Sequence, residues 1–298
     1  SPQDTPALYS LMNYADMALG TWYPMGGMGR VVDAMVKVAQ ENGVQFIPSA
    51  PVERIEVVSG RAIGVIAHGE RHVGDVVVAA ADYHHVEREL LPKSARGYSP
   101  RYWEQRVMAP GALMFFLGIN RPLPNLDHHT LFFDEPLDQH SEDIYDAPRW
   151  PRAPLFYASC TSKTDRSTAP QGCENLTILI PIAAGLVDDD PTRERYFTLV
   201  MDRLAARVGF DPRPHVVVRR SYCANDLVAD YNSFRGNAYG LANTLSQTGP
   251  WRPRMQSRKV KGLYYAGQLT VPGPGVPPAL ISGQVVADLI AKHQLPKA

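Results

Sequence analysis

The chain has 298 residues, 45% hydrophobic and 20% charged, which places it among ordinary globular proteins with one large core or two of common size. Thirty basic residues offset thirty acidic ones, so no bulk field argues for a nucleic-acid partner or an anionic membrane surface. Cys160, Cys173 and Cys223 lie far apart with no Cys-x-x-Cys pair, which excludes a zinc ribbon and a disulfide framework and favours a reduced, cytoplasmic setting.

From 28 to 40 the apolar positions Met28, Val31, Val32, Met35, Val36 and Ala39 recur at helical spacing, between Gly26-Gly27 and Asn42-Gly43, and predict an amphipathic helix. β-rich runs follow at 44–47, 52–58, 62–67 and 73–81, separated by Ser59-Gly60 and His68-Gly69-Glu70. Residues 76–81 are apolar on both alternating faces, as in a strand covered on both sides, and a helical segment is expected over 82–91. Prolines are frequent from 92 to 250, among strand-like segments at 113–119, 131–133, 176–182 and 216–220. One helix is predicted there, over 192–208, with Phe197, Val200, Leu204 and Val208 on one face. The longest apolar stretch, 109–119, is too short to span a bilayer and is broken by Pro110, Gly111 and Gly118, so it reads as a buried strand. No basic-then-apolar leader is visible. After 250 a strand over 262–267 and a helix over 277–292 restore an α/β alternation. The order suggests a discontinuous α/β domain, 1–91 with 251–298, around an inserted sheet-based domain, 92–250.

The most informative segment runs from Tyr264 to Gly283, joining a buried strand, a glycine turn, a stiff Pro/Gly loop and a helix start. Gly267 at the strand end lets a ligand approach the backbone, and Gly273 and Gly275 permit positive φ between prolines. Pro277-Pro278 suits a first helical turn, and the amides near Val276 and Ala279 are expected to favour an anion there. A reduced flavin carries such charge on its pyrimidine edge.

This segment resembles the C-terminal FAD-binding motif of phytoene desaturases: strand, Gly, short turn, Pro-Gly-x-Gly-x-Pro, then a helix with Ser-Gly. Five further segments agree in order: Trp22-Tyr-Pro-x-Gly-Gly-x-Gly29, His128-His129-Thr130, Ala169-Pro-x-Gly-Cys173, Asn225-Asp226-Leu227 and Gly236-Asn-Ala-Tyr-Gly240. The resemblance covers most of the chain and implies part of a Rossmann-like FAD-binding domain with an inserted β-sheet substrate domain, on the two-domain flavin amine oxidase plan. It departs in two places. Val271-Pro272-Gly273 stands where many members have His-Pro-Gly, and no Gly-x-Gly-x-x-Gly pyrophosphate cradle occurs anywhere in the chain. The N-terminal dinucleotide-binding segment is therefore read as missing, and the polypeptide alone is expected to bind FAD weakly or not at all and to be inactive.

Residue by residue, the resemblance implies that Val52 touches the adenine side through its backbone, that Gly267 and Gln268 lie near the pyrophosphate and ribityl chain, and that Gly275, Val276 and Pro277 sit under the isoalloxazine. The implied reaction is hydride transfer from an allylic C–H of a long polyisoprenoid to FAD, with proton loss from the neighbouring carbon; Asp226 and Asp230 are candidate bases by position. Tyr9, Met12, Tyr14, Met17, Trp22 and Tyr23 would line an apolar tunnel or simply pack in a core. Peripheral membrane association is implied by the resemblance alone. His128 and His129, as neighbours on a strand, should face opposite ways and share no metal, so no metal site is expected. No Gly-x-Ser-x-Gly elbow supports a hydrolase. Two alternatives stay open: a related flavoenzyme acting on an amine or retinoid, and a non-catalytic carotenoid- or lipid-binding module.

Overall fold

In the computed structural model, which describes residues 3–294, ten strands occur in chain order: β1 (Val52–Val58), β2 (Arg61–Ala67), β3 (Glu70–Val73), β4 (Val77–Ala79), β5 (Gly111–Ile119), β6 (His129–Phe132), β7 (Phe156–Ser159), β8 (Glu174–Ile182), β9 (Val216–Tyr222) and β10 (Leu263–Tyr265). The chain divides into two compact units. The first is formed by Ala7–Phe46 and Gly111–Asn225, the second chiefly by Ile47–Pro110 and the described residues from Asp226 on. These divisions differ from the sequence-based boundaries at 91/92 and 250/251. Residues 7–46 group with the large sheet because local contacts tie them there. The Gly26 amide donates to Asp165 Oδ2 at 2.5 Å, and the Tyr23 ring meets His128 edge-on at 4.7 Å.

The first unit is built on a five-stranded antiparallel sheet in the order β6-β7-β8-β5-β9. Alternation along β5 and β8 puts Leu113, Phe115, Leu117 and Ile119, with Leu176, Ile178, Ile180 and Ile182, into one core. The helix Asp190–Val208 covers it with Phe197, Val200, Met201, Leu204 and Val208. Its start is set by Asp189, whose side chain accepts from the Thr192 amide at 2.8 Å, and its end by Gly209 in the left-handed region at φ +83°. The strand β7 and the helix Ala224–Tyr231 are elements that the sequence reading left unassigned.

In the second unit β1, β2 and β3 form an antiparallel sheet, while β10 pairs in parallel with β4 through Leu263↔Val77, Tyr264↔Val78 and Tyr265↔Ala79. The expected single strand over 73–81 is two: Val73 ends β3, and Gly74 and Asp75 turn the chain before β4. Residues 44–47 form no strand, and Val44, Phe46 and Ile47 are exposed. The predicted helix over 82–91 is a short turn, Tyr83–His85, continued by a wider one, Val86–Leu90, and capped by Asp82. The helix Gly29–Glu41 forms as predicted, with Val32, Met35 and Val38 exposed.

One close approach fixes the small sheet. A Cβ built on Gly64 would lie 2.2 Å from the His72 carbonyl oxygen of the neighbouring strand. Gly64→Ala should therefore force β2 and β3 apart and cost about 2–3 kcal/mol. Urea denaturation would measure it, and an unchanged midpoint would show that the pair yields without loss.

Candidate functional site

The parallel pair β4-β10 positions the site. Ligands of open α/β sheets bind beyond the carboxyl ends of parallel strands, and both segments leaving these strands line one cavity of about 300 Å³. Ala80, Ala81, Asp82 and Tyr83 follow β4; Ala266, Gly267, Gln268 and Leu269 follow β10. Leu227 and Tyr231, one turn apart on the helix Ala224–Tyr231, close it with Ser233, Asn237 and Ala238.

Hydrogen bonds hold each wall. The Gly267 amide donates to Ser282 Oγ at 2.9 Å, and Ser282 Oγ–H donates to the Ala279 carbonyl at 2.6 Å, so the Ser-Gly of the final helix pins the strand end. The Gly267 carbonyl accepts from the Thr270 amide at 3.0 Å and hydroxyl at 2.8 Å. Asn237 Oδ1 accepts from the Gly240 amide at 2.6 Å, and its Nδ2 donates to the Phe234 carbonyl at 2.6 Å. Gly240 is needed where it stands, since a Cβ there would lie 3.0 Å from the Gln268 carbonyl oxygen. Arg252, almost wholly buried, donates to the carbonyls of Gln268 and Leu241, both at 3.2 Å, and to Asn243 Oδ1 at 2.7 Å. It fastens the 240–243 segment to the loop after β10.

Asp82 carries the formal charge of the cavity wall. Its Oδ1 accepts from the His85 amide at 3.0 Å and its Oδ2 from the Phe234 amide at 3.1 Å. Burial pushes its carboxyl above the ordinary aspartate value, against the lowering pull of the His85, Phe234 and His84 amides. Beneath it Tyr83 stacks on Tyr265 with ring centroids 3.8 Å apart, and Tyr265 Oη donates to the buried Glu87 at 3.1 Å.

The structure distributes the sequence-predicted residues unevenly. Gly267 and Gln268 line the cavity; Gly275, Val276 and Pro277 lie beyond it at the start of the helix Val276–Gln294, with Val276 half exposed. The anion-favouring helix start is weaker than expected, because the Ala279 amide is spent on the Gly275 carbonyl at 2.9 Å and residues 277 and 278 are prolines. Val52 opens β1 opposite Ala67, in the other sheet of the unit. Asp226 and Asp230 share the helix of Leu227 and Tyr231 but not its cavity-lining side. Met12, Tyr14, Met17 and Trp22 stand exposed, forming neither tunnel nor core among the described residues. His128 and His129 do not face opposite ways: His128 precedes β6, and the rings stack with centroids 4.2 Å apart. Their Nδ1 atoms are engaged with Thr164 and Tyr157, and no metal-binding cluster of His, Cys, Asp or Glu occurs among the described residues. Asp82, Tyr231 and Arg252 were missed. A carboxylate directly after an apolar strand run was the available signal for the first.

A profile of the family described as "Flavin containing amine oxidoreductase" matches residues 1–291. The chain belongs to that family. Among characterised relatives, the carotenoid 3,4-desaturase of Haloarcula japonica is 42% identical over 97% of this chain and 59% of its own length. The zeta-carotene-forming phytoene desaturase of Myxococcus xanthus is 33% identical over 97% of this chain and 56% of its own length. The chain thus spans a little over half the length of the curated relatives it matches. Among solved structures, an oxidoreductase from Methanosarcina mazei superposes with a TM-score of 0.56 at 17% identity, covering 89% of this chain and 55% of its own. That likeness concerns the fold alone, a mixed α/β fold. No helix among the described residues is long and apolar enough to cross a membrane.

Proposed function

We propose that this protein takes part in FAD-dependent desaturation of a carotenoid or carotenoid precursor such as phytoene. The observation that carries the reading is the cavity at the ends of β4 and β10, walled by Gly267 and Gln268, in a chain 42% identical to a carotenoid 3,4-desaturase. The residues present suit a flavin nucleotide. Gly267, at φ +108°, has open space where a Cβ would stand, so its backbone is accessible. The cavity mixes apolar walls with a carboxylate, two amides and hydroxyls, the composition of a small-molecule site.

When bound, FAD supplies the hydride acceptor for removal of an allylic hydrogen. The chain's own contribution is positional. Gly267 and Gln268 would meet the cofactor through backbone and side chain; Gly275, Val276 and Pro277 would lie along its ring system; Val52 would meet the adenine through its backbone. The substrate would be a long polyisoprenoid held by apolar contacts. Retention of the glycine-ended strand and its pinned loop favours an enzyme over a non-catalytic carotenoid carrier, and the relatives' names favour a carotenoid over an amine.

The test is to incubate the full-length gene product and FAD with liposomal phytoene and, separately, with a more unsaturated acyclic carotene, under air. Products with longer conjugation, seen as red-shifted absorption bands after chromatography, are expected from at least one substrate. Oxidation of amines with both carotenes untouched would sink the proposal.

A further inference from the structure

Among the residues that wall the cavity, Asp82 alone is formally charged, and no Lys, Arg or His stands with it. A negative ligand would therefore meet a carboxylate with no cationic side chain in the cavity wall beside it. Each Asp82 oxygen accepts one backbone amide, from His85 and from Phe234, and a carboxylate offers about four acceptor directions. The His84 amide also pulls on the carboxylate, which leaves about one acceptor direction for a ligand, and that ligand must donate to it. The volume of about 300 Å³ is at the lower end for ligand sites and suits a fragment of a cofactor rather than a whole dinucleotide.

We propose that Asp82 is a cofactor-binding residue whose carboxylate accepts a hydrogen bond from a hydroxyl of a polyol, so that the cavity seats an uncharged part of FAD and not its pyrophosphate. This rests on the FAD reading above and refines it: Gly267 and Gln268, which wall the same cavity as Asp82, meet the polyol rather than the pyrophosphate. The lift that burial gives the Asp82 carboxyl agrees, since a hydroxyl donor restores part of the lost solvation. Gln268 and Tyr231 border the same space and offer further polar groups. Hydroxyls of this kind occur in the ribityl chain of the flavin and in the ribose of its ADP half.

The test uses the full-length gene product, stripped of flavin, as wild type, Asp82→Asn and Asp82→Ser. Both replacements can still accept an amide hydrogen bond as a helix cap, and thermal unfolding checks that they fold. Binding of riboflavin, lumiflavin (the same ring without the ribityl hydroxyls) and ADP is followed by fluorescence and calorimetry. Loss of about tenfold to a hundredfold for riboflavin with lumiflavin unchanged is expected if the polyol is the ribityl chain. The same loss for ADP with riboflavin unchanged supports the proposal with ribose as the source. Equal losses for riboflavin and lumiflavin, or no loss for any probe, would overturn it. If the wild type retains none of these probes and no FAD, the FAD reading itself fails.

Discussion

Arg252→Ala is expected to cost about 3–5 kcal/mol of stability and to weaken FAD retention by more than tenfold. Arg252 is 3% exposed, and its guanidinium reaches acceptors on two separate segments: the Leu241 carbonyl and Asn243 Oδ1 on one side, the Gln268 carbonyl on the other. Truncation would leave these acceptors buried without this donor, each at a desolvation cost of about 1–3 kcal/mol, and would open a void behind the loop. Arg252→Lys should recover only part of the loss, because an ammonium is a point donor and cannot span both segments as a planar fork does. Gly273 tests the same clamp from the other side. Its φ of +136° lies in the region that disfavours side chains, and an added Cβ would sit 3.2 Å from the guanidinium, so Gly273→Ala should reproduce a smaller share of both effects. Urea unfolding and flavin fluorescence on the full-length gene product measure the two quantities. Arg252→Ala with wild-type stability and wild-type FAD retention would show that the loop needs no such clamp.

The clamp also illustrates what the sequence made legible. The glycine-ended strand, the Pro/Gly loop and the final helix were readable because each uses residues with narrow backbone preferences, and Gly267, Gly273 and Gly275 all adopt positive φ. Long periodic segments were equally plain. The helix over 192–208 and the strands over 113–119 and 176–182 each bury one face, and a two-fold or 3.6-fold pattern survives in the residues that do so.

What escaped were features made by tertiary pairing. Residues 73–81 read as one strand because their composition is uniformly apolar, yet parallel pairing with a strand nearly two hundred residues away, over only Val77–Ala79, sets where β4 runs. Residues 44–47 have strand composition without a strand to pair with among the described residues. The lining of the candidate cavity was half legible. Gly267 and Gln268 could be found from local pattern, whereas Asp82 joins them through the chain fold, and Arg252 sits in a proline-rich stretch with no periodicity to flag it. The aspartates chosen by position, Asp226 and Asp230, miss the cavity by a helical rotation. One helix face carries Leu227 and Tyr231 inward, and a sequence without its neighbours does not say which face that is.

In the sheet unit, Asp188→Asn is expected to cost about 3–5 kcal/mol at neutral pH, with a gap from wild type that closes in acid. The Asp188 carboxylate is fully buried and forms a two-pronged pair with Arg193, at 2.7 Å to Nε and 2.6 Å to Nη2, while the Asn225 amide donates to it at 2.8 Å. It thereby joins the start of the helix Asp190–Val208 to the chain beyond β9. Burial opposes its ionisation, but the Arg193 and Asn225 hydrogen bonds outweigh burial and hold its carboxyl below the ordinary aspartate value. Glu174 with Lys163 at 2.6 Å, and Asp143 with the Arg152 amide at 2.9 Å, are lowered in the same way. A carboxyl whose pKa is lower folded than unfolded stabilises fully above its unfolded value, near 4, and loses that contribution as pH falls through the folded value. The wild type should therefore lose stability progressively below about pH 4. Asp188→Asn has already lost the pair and leaves the buried guanidinium facing a neutral amide, so its urea midpoint should fall less between pH 7 and pH 3. A difference between the two proteins that stays constant across that range would mean that Asp188 is not one of the groups whose protonation drives the acid transition.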